Sequence, residues 1–242
     1  MELPKIDITK LNGSYIDIYK TKCSDLYYAH KKEHMKVKTV DQEYNTYLQT
    51  LEEDIGFTKV PFNEIPSFIA YKGVPKNTIR WSDSQGIHYI LTSETGIYKP
   101  IDAEDDGASA ELFAYHYIMT NNIPEKQWNV YDYIKDCPVD IEAAFIKNTL
   151  HITDLDNDGV KEIWLMYRKV CHGDVSPLEM KIIMYEGSEK HAMRGHNKIQ
   201  LTGTESYGGE YKFDANFKNA PTVFRSFGKK MWNEHLTHNW DD

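Results

Sequence analysis

Nine residues near the middle of the chain, Asp154 to Glu162 (DLDNDGVKE), constrain its fold more than any other stretch. Acids stand at positions one, three and five, glycine at six and a further carboxylate at nine. Bringing those side chains together needs a tightly curved backbone, and Gly159 supplies a conformation that a side chain would forbid. The run that follows, EIWLMYRKV, is almost continuously apolar, the pattern of a strand buried on both faces. LHIT, just before the loop, also reads as strand. The loop is therefore expected to join two strands and gather its acids at their end. A helix-loop-helix cation site does not fit, because the bidentate Glu of its twelfth position would be Leu165, inside the strand.

Four carboxylates, Asp154, Asp156, Asp158 and Glu162, together with the main-chain carbonyl of Val160, make a set of hard oxygen donors. Ca2+ takes about six to eight such ligands in flexible geometry, whereas Mg2+ prefers a smaller octahedral cage with several waters. Without an ion, like charges ~4 Å apart repel by roughly 1 to 4 kcal/mol per pair. The expected ion is thus calcium in a structural role, fixing the angle between HIT and EIWLMY. The nine-residue version resembles the calcium loops of integrin-type and related bacterial β-repeat proteins, here in a single copy.

The remainder reads as α+β, mainly antiparallel sheet, with a helical N-terminal segment and a C-terminal helix packed on it. Spacing of three and four around DQEYNTYLQTL predicts a helix from Val40 to Asp54, ended by Gly56. Pro61, Pro66 and Pro75 then mark a connector laid over the next unit, which divides the chain into a segment 1–76 and a β-rich domain 77–242. NTIRWSDSQGIHYILTSETGIY is a hairpin with Asp83 and Gly86 in its turn. SAELFAYHYIMT and QWNVYDYIKDC are expected to pair across NNIPEK. Pro138, with Ile141, Ala144 and Phe145 at helical spacing, predicts a short helix in PVDIEAAFIKN. MKIIMYEGSEKHAMRG turns at Gly187 and Ser188, and residues 222–235 place Val223, Phe224, Phe227, Met231 and Trp232 on one helical face.

With 28 basic against 37 acidic residues, a formal net charge of −9, the chain lacks the basic field that nucleic acid requires. No stretch approaches the ~20 consecutive apolar residues of a membrane span. Three cysteines, Cys23, Cys137 and Cys171, lack the spacing of a zinc site. Cys137 and Cys171 lie on either side of the acidic loop, so a bridge between them would clamp its surroundings, although connectivity is not readable from spacing alone.

Other chemistry-bearing groups are weaker. Asp102, Glu104 and Asp106 before Gly107 mimic the first half of the loop, but Ala110 stands at position nine, so a solvated acidic loop is expected. His172, Asp174 and Ser176 in CHGDVSP have no glycine-framed nucleophile elbow and read as a turn. His191 and His196, five apart on a strand with Arg194 between them, should face opposite sides of a sheet. Of the five tryptophans, Trp81, Trp128, Trp164 and Trp232 fall on strands or an amphipathic helix, where core packing is the default over sugar stacking; the fifth is Trp240.

SAELFAYHYI, VYDYIKDCPVDIEAAFI, ITDLDNDGVKEIWLMY, CHGDVSPLEMKIIMYEGSEKHAMRG and GGEYKFD carry a resemblance over Ala108 to Asp214. That run resembles a family of uncharacterised Bacteroidota proteins labelled surface polysaccharide biosynthesis protein. The resemblance implies an exported cell-envelope protein, periplasmic, surface-bound or secreted, with its signal peptide already removed. No catalytic residue carries over from it, and no nucleotide-binding glycine loop is visible. Two functional expectations follow: a non-catalytic, calcium-stabilised binding or scaffold protein for a glycan or another envelope protein, and alternatively an enzyme acting on surface polysaccharide. A deep pocket with convergent polar groups would mark the enzyme.

Overall fold

The computed structural model describes residues 56–100, 107–200 and 206–237. The helix expected over Val40 to Asp54, the acids Asp102, Glu104 and Asp106, and Trp240 lie outside the described residues. Strands β1 (Thr58–Lys59), β2 (Val74–Asp83), β3 (Gly86–Tyr98), β4 (Ala108–Thr120) and β5 (Ile123–Cys137) form one antiparallel sheet in sequential order. Then come β6 (Ile141–Phe145), β7 (His151–Thr153), β8 (Glu162–Cys171), β9 (Glu179–Glu186) and β10 (Glu189–His196). A small ribbon, β11 (Lys198–Gln200) with β12 (Ser206–Gly208), precedes β13 (Tyr211–Phe213) and the helices α1 (Ala215–Asn219) and α2 (Thr222–Glu234). The second sheet runs β13-β10-β9-β8-β6, with β7 also paired to β8.

Alternation of side chains along the strands builds three apolar layers. Between the sheets, Ile79, Trp81, Ile90, Leu112 and Val130 of the first meet Ile163, Leu165, Ile183 and Tyr185 of the second. On the opposite face of the second sheet, Trp164, Met166, Ile182 and Met184 pack under Phe217, Phe224, Met231 and Trp232 of the two helices. β8 is thus buried on both faces, which is why its sequence is continuously apolar. The third layer covers the outer face of the first sheet. There Ile65, Ile69 and Tyr71 of the proline-marked connector lie on Tyr89, Leu91 and Phe113.

Turn chemistry sets the hairpins where the sequence places them. Gly86 has a φ of 142°, and a Cβ there would stand 2.5 Å from the Met119 carbonyl, so only glycine allows β4 to approach the β2–β3 turn. The β4–β5 turn is tighter than NNIPEK. Asn121 and Asn122 make it alone, at φ 52° and 63°, and the following residues already belong to β5.

Two expectations need correction. Ile141 to Phe145 is not a helix but β6, paired antiparallel to β8 with Ile141 opposite Cys171. The same residues satisfy period two: Ile141 and Ala143 are buried in the inter-sheet core and Phe145 packs against it. In α2, Phe224, Met231 and Trp232 are buried as expected, but Val223 is 43 % exposed. It stands on the first turn, one residue before the buried arc begins.

Polar anchors hold the layers in register. Asp132 of β5 accepts hydrogen bonds from Tyr167 Oη (2.8 Å), Lys169 Nζ (2.6 Å) and Lys181 Nζ (2.7 Å) of the second sheet. Burial alone would raise its carboxyl, yet the two lysines hold it at about 2. Asp214 caps α1, accepting from the Phe217 N–H at 2.9 Å and so fixing the fully buried Phe217 ring. Asp214→Ala should cost about 1 kcal/mol. Calorimetry should then show a melting temperature roughly 2–4 °C lower.

Candidate metal centre

Register on β8 decides where the acids meet. Thr153 of β7 pairs with Glu162 of β8, so residues 154–161 form the connection between them. Asn157 (φ 60°) and Gly159 (φ 88°) turn the chain. Inside the turn, Asp154 Oδ1 accepts from the Gly159 N–H at 3.4 Å, and Asp156 Oδ1 accepts from the Asp158 N–H at 3.4 Å. Asp158 Oδ1 accepts from the Val160 N–H at 2.7 Å. These bonds curl the backbone and bring side chains two residues apart to one side.

Glu162 is the buried floor of the cluster, with no exposed surface. Its carboxylate accepts from Thr153 Oγ1 (2.5 Å) and from the Leu155 N–H (3.0 and 3.1 Å to the two oxygens). Thr153 Oγ1 in turn accepts from Trp164 Nε1 at 2.9 Å, anchoring the site to the core beneath the helices. Burial pushes the Glu162 carboxyl upward, against the pull of those donors. Lys161 Nζ lies 3.1 Å from Asp154 Oδ2 and holds that carboxyl low.

One further acid was not visible from the loop. Glu186, the last residue of β9, is directly opposite Glu162 in the β8–β9 register. Carboxylate oxygens of Asp154, Asp156 and Glu162 lie within 4.8 Å of one another, and those of Asp156, Asp158 and Glu186 do likewise. Two groups sharing Asp156 can therefore hold a metal ion. Glu186 Oε1 is buried and has no hydrogen-bond partner. Burial, and then Asp156, Asp158, Glu162 and Glu189 around it, push its carboxyl up to about 7. A buried carboxylate oxygen without a donor, next to four other acids, is a position suited to a cation. The sequence does carry a signal for it: aligning the ends of EIWLMY and KIIMYE sets the two glutamates side by side.

Cys137 and Cys171 are bonded, with Cα atoms 5.8 Å apart. The bridge does not clamp the loop. Glu162 opens β8 and Cys171 closes it, so loop and bridge sit at opposite ends of a ten-residue strand, about 30 Å apart at ~3.3 Å per residue. What the bridge joins is the end of β5 in the first sheet to the end of β8 in the second.

Of the other sequence candidates, His172 Nδ1 lies 3.2 Å from Asp174 Oδ1, a contact within one turn. Asp174 Oδ1 accepts from the Ser176 N–H at 2.9 Å, the side-chain bond of a simple turn. His191 is buried against Phe217 and Phe224, while His196 is exposed and pairs with Glu210, so the two face apart. Trp81, Trp128, Trp164 and Trp232 are all core residues. A recess between the sheets is lined by Ile79, Phe145, Leu165 and Met166, with Asn77 and Thr92 among its polar members and no ionisable side chain. Comparison with known proteins adds no relative, since no protein-family profile, no curated protein and no solved structure matches the chain.

Proposed function

We propose that this chain is an exported, calcium-stabilised binding or scaffold protein of the cell envelope, acting in the periplasm, at the surface or outside the cell. Asp154, Asp156, Asp158, Glu162 and Glu186, with the Val160 carbonyl, are the residues that would hold the ion. The observation that carries this reading is the buried, donorless Glu186 oxygen beside the loop carboxylates Asp156 and Asp158, a group that shares Asp156 with Asp154 and Glu162. So many oxygen donors suit calcium better than magnesium. The ion's role is structural: it neutralises acids that would otherwise repel, and it ties the β7–β8 loop to the end of β9. A disulfide between the sheets supports an oxidising compartment. The ligand class that fits an envelope role is a glycan or a partner protein.

Calorimetry on chelator-stripped protein tests the ion. Calcium at a hundred times its dissociation constant should stabilise the fold by about 2.7 kcal/mol. That corresponds to a melting temperature roughly 5–10 °C higher, with a smaller rise for magnesium. Superimposable curves with calcium and with chelator would sink the proposal. Glycan-array binding, with and without calcium, then separates a glycan ligand from a protein one.

A further inference from the structure

At the end of the inter-sheet core nearest the β2–β3 turn, five rings lie in a row across the strands: Trp81, His88, His116, Trp128 and Tyr185. Trp81 stacks on His88 with centroids 4.5 Å apart, His88 on His116 at 5.2 Å, and Trp128 on Tyr185 at 4.2 Å. His116 meets the tilted Trp128 ring at 5.3 Å. Both imidazoles are 4 % exposed.

A chain of hydrogen bonds runs along the row. Asp83 Oδ1 lies 2.9 Å from His88 Nε2, and His88 Nδ1 lies 3.0 Å from His116 Nε2. Burial would raise the Asp83 carboxyl, but the Gln85 N–H and His88 outweigh it and keep the group ionised. An ionised carboxylate only accepts, so His88 carries its proton on Nε2 and presents a bare Nδ1. His116 must then donate from Nε2. Its own Nδ1 is left as a lone pair, and that atom is buried with no partner.

We propose that Asp83, His88 and His116 form an acid-sensing latch, which fastens the turn end of the β2–β3 hairpin to β4 while both rings are neutral and releases it when the pair is protonated. His116 Nδ1 is the one free lone pair on the two rings, so an added proton binds there. His116 passes its Nε2 proton to His88 Nδ1, and the positive charge comes to rest on His88 beside Asp83. Proton count balances, with one gained by the pair and none lost elsewhere. In the closed row the new Nδ1–H has no acceptor.

The surroundings do little to hold that charge. β2 contributes Trp81, β5 contributes Trp128, and β9 contributes Tyr185, with Lys190 Nζ 5.9 Å from that last ring. Among the described residues, Asp83 is the only charge of opposite sign acting on either imidazole. Burial lowers both, His116 to about 3. Opening the turn gives the rings back to water, where an imidazole accepts a proton near pH 6.5, so acid shifts the balance toward the open form.

Amide exchange followed by NMR at pH 7.5 and 5.0, corrected for intrinsic rates and with calcium in excess, tests the latch. Relative to Ile163–Tyr167 of β8, exchange at Trp81–Tyr89 should accelerate on the order of 30-fold at pH 5.0, the ratio set by protonation near 6.5 when open against about 3 when closed. His116→Gln keeps a donor toward His88 and cannot itself titrate, so its acceleration should fall clearly below that of the wild type, leaving only the part that the buried His88 contributes. Nitrogen shifts of the wild-type imidazoles should show both protons on Nε2 at pH 7.5, a readout that needs no variant. Equal exchange at both pH values, acceleration spread evenly over both sheets, or a protonated His116 Nδ1 at pH 7.5 would each overturn the latch.

Discussion

Removing the Cys137–Cys171 bridge should lower stability by about 4 kcal/mol, the loop-closure cost for cysteines 34 residues apart. The bridged loop contains β6, β7, the acidic turn and all of β8, so its release frees much of the second sheet in the unfolded chain. Cys137→Ala with Cys171→Ala, in a Cys23→Ser background so that no other thiol can pair, should melt roughly 8–16 °C below the parent. Urea denaturation of the same variants gives the free energy directly, and a loss under about 1 kcal/mol would mean the bridge merely decorates two sheets already fixed by their core. Because the bridge stands at the far end of β8 from the acidic loop, the calcium-induced rise in melting temperature should survive its removal. A joint loss of both effects would place the two features in one unit, against the geometry.

That separation also shows what the sequence could and could not disclose. Cys137 and Cys171 flank the loop in the chain, and proximity along the chain suggested a clamp. A strand, however, carries its residues away at ~3.3 Å each, so ten residues of β8 turned neighbours in order into opposite ends in space. Local signals fared better. Gly86 and Gly187 with alternating flanks marked the two hairpins, and the run Glu162 to Val170 revealed a strand covered on both sides. β6 is ambiguous in sequence because five residues are too few to separate period two from period 3.6, and its partner β8 makes the choice. Glu186 lies 24 positions from Glu162, and only the β8–β9 register, a long-range fact, brings it to the acids. The candidate site was therefore legible where a single loop builds it and hidden where sheet pairing completes it.

Glu186 also makes the metal-free protein's response to pH distinctive. Its carboxyl titrates at about 7 in the fold against 4.5 for the free group, so the stability it allows is complete below pH 4.5 and is lost as pH rises through 7. A fully buried group would lose about 3 kcal/mol over that window; partial contact with water screens this to roughly 1–2 kcal/mol. A bound cation replaces the proton, so the calcium-loaded protein has no such slope. His116, lowered to about 3, works in the other direction, since its stabilisation is complete above pH 6.5 and is lost as acid is added. That contribution is the same with calcium or chelator and cancels in the difference between the two melting curves. The calcium-minus-chelator gap should therefore widen from pH 5 to pH 8. Glu186→Gln removes one titrating charge from the cluster: it should raise the melting temperature of the chelated protein at pH 8, reduce the widening of the gap to the part that the raised Glu162 carboxyl leaves, and weaken calcium binding measured by titration calorimetry. A gap in the parent protein that stays constant from pH 5 to pH 8 would show that Glu186 does not share the acids' ion.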